Sequence, residues 1–213
     1  MSIEEIVRRR GISEILHFTT NRGLLGVLHS GFLKSKARLQ TDQRLEFIFS
    51  ANAPFRKDID WLDYANLSLS TINSQFFDIS KNRWHRDRDI WWCVLSFEPI
   101  ILSHDGVYFT TTNNMYTGVR RSQGPEGLES MFAEKIVRWH GNSVIRKPET
   151  PAAFPTCMQA EVLYPGELSS GFLRKVYVAC GEDADEVYGQ FAALGHEQLV
   201  ISVCPEVFQL NLQ

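Results

Sequence analysis

A glutamate inside an apolar run is the first residue that demands a reason. Glu161 lies in Gln159-Ala160-Glu161-Val162-Leu163, where period-two alternation puts Ala160 and Val162 on one strand face and Gln159, Glu161 and Leu163 on the other. A carboxylate in mid-strand is unfavourable unless its face meets a polar cleft, another charge or a ligand. In a cleft it can move a proton or orient a hydroxyl; the plain alternative is a solvent-facing edge. His17 stands in Leu16-His17-Phe18, directly before Thr19-Thr20-Asn21. A lone strand histidine is more often hydrogen-bonded into a core than in contact with a ligand, so its pattern alone favours the first role. Arg56, in Asn52-Ala53-Pro54-Phe55-Arg56-Lys57-Asp58, is a loop cation suited to capturing phosphate or carboxylate if a cleft adjoins it.

The elements that must hold these groups follow from local signals. Ser2 with Glu5 forms a capping box for a helix through Arg10, stopped at Gly11. A strand over Glu14 to Thr19 comes next, then a helix capped by Asn21, with Leu24, Leu25, Val27 and Leu28 on its apolar face and Gly31 at its end. From Ser35 to Asp63 no clean period exists, which predicts a long loop with one helical turn. Strand-like runs occur at Ala65 to Ser70, Ile90 to Phe97, Gly106 to Thr110, Gln159 to Tyr164, Lys175 to Cys180 and Leu199 to Cys204. The spacing of Leu128, Met131, Phe132 and Ile136 predicts a helix from Pro125 to Trp139. A second capping box, Asp183 with Glu186, predicts another over Ala184 to Leu194, ending at Gly195. Strands outnumber helices without alternating with them, which argues for α+β rather than a doubly wound fold. No repeat or linker divides the chain, so one domain over residues 1–213 is expected.

Composition limits the function classes. The 213 residues carry 22 Lys plus Arg against 25 Asp plus Glu, a formal net charge of -3, with 44% hydrophobic residues. That excludes wholesale disorder and a generic polyanion binder. The longest apolar run, Ile90 to Leu95, is far short of the roughly 20 residues of a membrane span, and Met1 to Arg10 has no apolar signal-peptide core. A soluble, cytoplasmic protein that does not engage a membrane is the expectation. Cys93, Cys157, Cys180 and Cys204 show no metal-ligand spacing and read as small buried hydrophobes. All cations precede residue 176, so residues 1–175 hold 22 of them against 19 acids. They cluster at Arg8-Arg9-Arg10, at Lys34, Lys36, Arg38 and Arg44, and at Lys81, Arg83, Arg86 and Arg88. The last group is interleaved with Trp84 and His85, a composition that suits a groove for phosphates and stacked bases. Phosphate-loop, dinucleotide-fingerprint, zinc-protease and hydrolase-elbow motifs do not occur.

Taken in order, several blocks resemble one family. Leu16-His17-Phe18-Thr19 stands before a capped helix, and Arg56-Lys57-Asp58 follows. Asn66-Leu67-Ser68-Leu69-Ser70 comes next, then Pro155-Thr156-x-x-Gln159-Ala160-Glu161-Val162-Leu163-Tyr164-Pro165. These blocks look like the DarT family, the toxins of bacterial DarT–DarG toxin–antitoxin systems, over about residues 12–180. The Gln-Ala-Glu-Val block is the most specific element. The resemblance implies an ADP-ribosyltransferase fold, with two small, roughly orthogonal antiparallel sheets around an NAD cleft and helices about them.

That resemblance also assigns roles. Glu161 would hydrogen-bond the nicotinamide ribose and take the proton from the attacking base. Arg56 would sit by the pyrophosphate and the reacting centre. His17 would contact the adenine-side ribose, with Thr19 and Asn21 on the cofactor nearby. Ser68 would lie under the nicotinamide, and Phe76 or Phe77 would stack on it. The middle element, Asn-Leu-Ser-Leu-Ser, departs from the related transferases' patterns at Ser68. The implied reaction moves ADP-ribose from NAD, as substrate, to a base of single-stranded DNA without a metal. Guanine is favoured over thymine on the Trp91-Trp92-Cys93 and Thr111-Thr112-Asn113-Asn114 segments. Lys34, Lys36, Arg83, Trp84 and Arg86 are the expected DNA contacts. A monomer is expected, paired with an antitoxin that removes ADP-ribose. The rival readings are transfer to RNA or protein, and an inactive nucleic-acid-binding relative.

Overall fold

Local signals at the N-terminus translate directly into structure in this computed structural model. It describes residues 1–40, 58–84, 89–196 and 199–209, with the backbone alone at 40, 83 and 84. In α1 (Ile3–Arg10), the Ser2 hydroxyl accepts from the Glu5 N–H, and the Glu5 carboxylate accepts from the Ser2 N–H. Gly11, at φ 68°, closes the helix in the left-handed conformation that glycine tolerates. After β1 (Ile15–Thr20) comes α2 (Asn21–Ser30), capped one residue earlier than expected. The Thr20 hydroxyl accepts from the Gly23 N–H at 3.2 Å, and Asn21 is the first helical residue.

Eight strands share one hydrogen-bonded order, β12-β11-β4-β1-β3-β9-β5-β6. Besides β1 they are β3 (Tyr64–Leu69), β4 (Trp92–Phe97), β5 (Tyr108–Thr110), β6 (Arg121–Gln123), β9 (Val162–Pro165), β11 (Leu173–Val178) and β12 (Val200–Val203). The order consists of two halves that share β3. Leu69 and Ser68 pair with Ile15 and Leu16 of β1, whereas Tyr64 to Leu67 pair with Pro165 to Val162 of β9. The α+β class and transferase fold hold, with two refinements: the halves are joined through β3, and the outermost pair, β11 with β12, is parallel. Two short antiparallel pairs flank the order, β2 (Phe32–Lys34) with β10 (Glu167–Ser169), and β7 (Lys135–Trp139) with β8 (Asn142–Ile145).

The first half is covered on both faces. All six residues of β4 are buried. Cys93, Leu95 and Phe97 enter the larger apolar cluster with Leu24, Val27 and Val187, while Trp92 and Val94 enter a second with Leu16, Phe77 and Tyr177. Continuous hydrophobicity over Trp91 to Leu95 thus reflects a strand sandwiched between two layers. Among the helices, α3 (Lys36–Gln40), α4 (Ser74–Ile79) and α6 (Gly181–Leu194) complete the packing. Among the described residues no helix is long and apolar enough to cross a membrane.

Three expectations need correction. The helix over Pro125 to Trp139 is only α5 (Gly124–Ser130), and the remainder is strand β7 turned back at Gly141, φ 77°. Lys-Ile-Val-Arg-Trp is β-branched and aromatic, and a hairpin satisfies its backbone; Leu128, Met131, Phe132 and Ile136 are all buried either way. Helix α6 starts at Gly181 behind an extended Cys180, not from an Asp183–Glu186 box. Glu186 instead accepts from the Trp91 indole N–H at 2.7 Å. Of the four cysteines, only Cys93 and Cys157 are buried.

Candidate active site

The site forms where β3 changes partners. The β1–β3 ladder ends at Leu16–Ser68, and β3 before Ser68 belongs to β9. Strands that separate leave carbonyls without ladder partners, and a side chain must satisfy them. His17 does so: its Nδ1 lies 2.9 Å from the Asn66 carbonyl oxygen. A carbonyl only accepts, so Nδ1 carries the proton and Nε2 is left as an acceptor in the neutral ring. Burial holds the His17 pKa below its ordinary value of 6.5, against the opposing pull of the Asn66 carbonyl.

Asn66 also turns toward the carboxylate. Its Nδ2 donates to Glu161 Oε1 at 2.9 Å, and the Asn114 backbone N–H donates to Oε2 at 2.7 Å. Each oxygen of Glu161 therefore accepts from a different residue, which fixes the plane of the carboxylate. Glu161 does not lie in mid-strand as expected; β9 begins one residue later, at Val162. Its N–H donates to the Thr110 hydroxyl at 2.9 Å rather than to a ladder carbonyl, while its carbonyl accepts from the Thr110 N–H. That displacement from the regular ladder resolves the cost of an acid in an apolar strand. Among the described residues no group of three His, Cys, Asp or Glu could hold a metal ion. Burial pushes the Cys93 thiol pKa up, leaving it a core residue rather than a nucleophile.

Of the other expected cofactor residues, Thr19 and Ser68 are buried on either side of the split, at 7% and 8% exposure. The Thr19 hydroxyl lies over α2, where a Cβ on Gly23 would come within 2.0 Å of it; only glycine fits there. Asn21 Nδ2 donates to the Asp89 carbonyl at 3.0 Å and to Glu186 at 3.4 Å, while its buried Oδ1 has no hydrogen-bond partner. Phe77 is buried among Phe18, Trp92 and Phe208. Phe76 is half-buried against Phe18 and is the more open ring of the two.

Arg56 and Arg86 lie outside the described residues, as do the side chains of Arg83 and Trp84. Lys34 sits in β2 opposite Glu167, and Lys36 opens α3. In that second basic cluster, Arg38 is held by Asp63, with Nε to Oδ1 at 2.9 Å. Its guanidinium lowers the Asp63 carboxyl pKa. Arg9 and Arg10 both pair with Glu129.

Sequence reasoning missed the partners of Glu161. Asn66 stands two residues before the expected Ser68, and Asn114 ends an Asn-Asn turn signal. Neither carries a mark of carboxylate binding. Asp58 and Arg121, which hold Asn114, were equally silent.

A split sheet around a gripped glutamate, with a histidine on the adjoining strand, is the architecture of an ADP-ribosyltransferase. A family model described as ssDNA thymidine ADP-ribosyltransferase, DarT, matches residues 16–209. This chain belongs to the DarT family. Solved structures agree in fold. Thermus sp. 2.9 DarT in complex with ADP-ribosylated ssDNA aligns with TM-score 0.64 at 14% identity, covering 93% of this chain and 97% of that one. The same protein in complex with NAD+ gives TM-score 0.62 at 13% identity, covering 92% and 98%. Thermosipho africanus DarTG in complex with ADP-ribose gives 0.59 at 13% identity over 92% of this chain, which spans 51% of that longer one. No curated protein sequence matches significantly.

Proposed function

We propose that this protein transfers ADP-ribose from NAD to a base of single-stranded DNA, releasing nicotinamide, and that it acts as a toxin restrained by an antitoxin that removes the ADP-ribose. The observation that carries the reading is the grip on Glu161. A carboxylate fixed on both oxygens is ready to hold the nicotinamide-ribose hydroxyl, offset the charge of an oxocarbenium-like ribose and accept the proton of the attacking base. His17, with its Nδ1 proton held by the Asn66 carbonyl, leaves Nε2 as the acceptor suited to a ribose hydroxyl. Thr19 and Ser68 flank the split, and Phe76 and Arg56 follow by family resemblance as the ring on the nicotinamide and the cation for pyrophosphate. Asn21, whose Oδ1 is unpartnered, stays with the cofactor, and Phe77 acts behind the site through packing.

Among acceptor bases, the family description supports thymidine. Guanine stays the alternative, on the resemblance of the Trp91-Trp92-Cys93 and Thr111-Thr112-Asn113-Asn114 segments. The test is incubation with NAD and short oligonucleotides of each base composition, DNA beside RNA, read by mass for added ADP-ribose. Transfer to a DNA base supports the reading, and the composition modified names the base. Transfer to RNA alone, or NAD hydrolysis with no nucleic-acid product, overturns it.

A further inference from the structure

Resting on that reading of Glu161, we infer that Asn114 is a positioning residue for the catalytic carboxylate, and that Arg121 and Asp58 act through it as the two jaws that hold it. Every polar group of Asn114 is engaged. Its N–H donates to Glu161 Oε2 at 2.7 Å, and its side-chain Nδ2 donates to Asp58 Oδ2 at 3.0 Å. Its Oδ1 accepts from Arg121 Nε at 2.5 Å, and its main-chain carbonyl accepts from Arg121 Nη2 at 2.6 Å. The residue is 3% exposed.

The chemistry of this set is specific to asparagine. One face of its side chain must donate to a carboxylate and the other must accept from a guanidinium. Aspartate would place two acceptors together at Asp58, and alanine would remove the side-chain link to both jaws. Arg121 is suited because its planar fork reaches Oδ1 and the carbonyl of the same residue. It is braced from behind, its guanidinium carbon 5.3 Å from the Trp61 ring centroid, and Trp61 packs edge-on against Tyr108 of β5. The chain around Asn114 is a turn rather than a ladder: the Met115 N–H bonds back to Asn113 Oδ1 at 2.9 Å. A backbone donor on a turn holds a carboxylate to sub-ångström tolerance only if its side chain is clamped. Asn114 thus sets the direction of one Glu161 oxygen, while Asn66 sets the other.

The test measures kcat and KM for NAD with a single-stranded oligonucleotide containing all four bases, beside melting temperature. Asn114→Asp should lower kcat by about 10²-fold, the usual scale for a misplaced catalytic group, with KM for NAD and melting temperature near wild type. Adding Asp58→Asn in the same chain restores a donor–acceptor pair of reversed direction and should recover most of the lost kcat. If Asn114→Asp is also destabilised, Arg121→Ala decides, because that side chain is at the surface and its loss frees Asn114 without opening the core. Unchanged kcat in the folded variants, a change confined to KM, or no recovery in the double variant overturns the inference and leaves the transferase reading standing. A wild-type protein that transfers nothing overturns both.

Discussion

The two halves of the sheet share one apolar core and differ in the polar groups set against it. In the first half, β4 is buried at every position and its side chains fill apolar clusters on both faces. In the second, Asn66 within β3, Thr110 at the end of β5 and Glu161 just before β9 meet, and the bonds of Glu161 to the other two run from side chain to side chain and from backbone to side chain. The second half is packed as well, with Leu67, Phe109 and Val162 buried in the same large apolar cluster, and the polar set stands at its edge. Stability and chemistry should therefore separate between the shared apolar core and that polar set, because apolar burial is non-directional whereas a gripped carboxylate depends on direction.

Breaking the polar set around Glu161 should give the largest effect. Glu161→Gln keeps the shape but loses the charge and the proton acceptor, so transfer should fall by about 10²–10⁴-fold with little change in melting temperature. Initial rates on NAD and oligonucleotide check it; near-wild-type turnover would move the chemistry away from the split. Breaking the scaffold should do the reverse. Phe97→Ala empties a fully buried position and should cost about 3–5 kcal/mol, read by urea unfolding, with transfer per folded molecule retained.

A smaller effect tests the seam between the halves. Asn66→Ala removes one donor to Glu161 but keeps the carbonyl that serves His17. A hydrogen bond to a charged group is worth about 1.5–3 kcal/mol, so kcat should drop by roughly 10–100-fold while the His17 contact survives. An unchanged kcat would show that the Asn66 donor is not needed to hold the carboxylate.

The smallest expected effect is a pH dependence. Burial depresses the folded-state pKa of His17 below 6.5, so the unfolded chain takes up a proton first as pH falls. The stability tied to neutral His17 is complete above pH 6.5 and is lost between there and the lowered folded value. His17→Gln should flatten that part of a melting-temperature series relative to wild type; identical slopes would remove His17 as a buried neutral ring.

Much of the scaffold was legible because its signals are short. The Ser2–Glu5 box, the positive-φ glycines at Gly11, Gly31 and Gly195, and the apolar run of β4 are each decided within a few residues. The 135–145 hairpin was not legible, since Leu128, Met131, Phe132 and Ile136 are spaced for burial in either geometry. Phe77 and Asn21 were assigned to the cofactor by resemblance, and the structure turns Phe77 into the aromatic core and Asn21 Nδ2 toward α6.

By itself, the sequence determined that Glu161 needed a polar reason to stand in an apolar run, and that His17 and Ser68 belonged to strands. Tertiary structure alone decided where that reason comes from. The His17–Asn66, Asn66–Glu161 and Asn114–Glu161 contacts join residues 49, 95 and 47 positions apart. Caps and periodicity act over one or two turns, so they specify elements. The partner of a buried carboxylate is chosen by which strands separate and which turn folds over the gap, and only the assembled sheet fixes that.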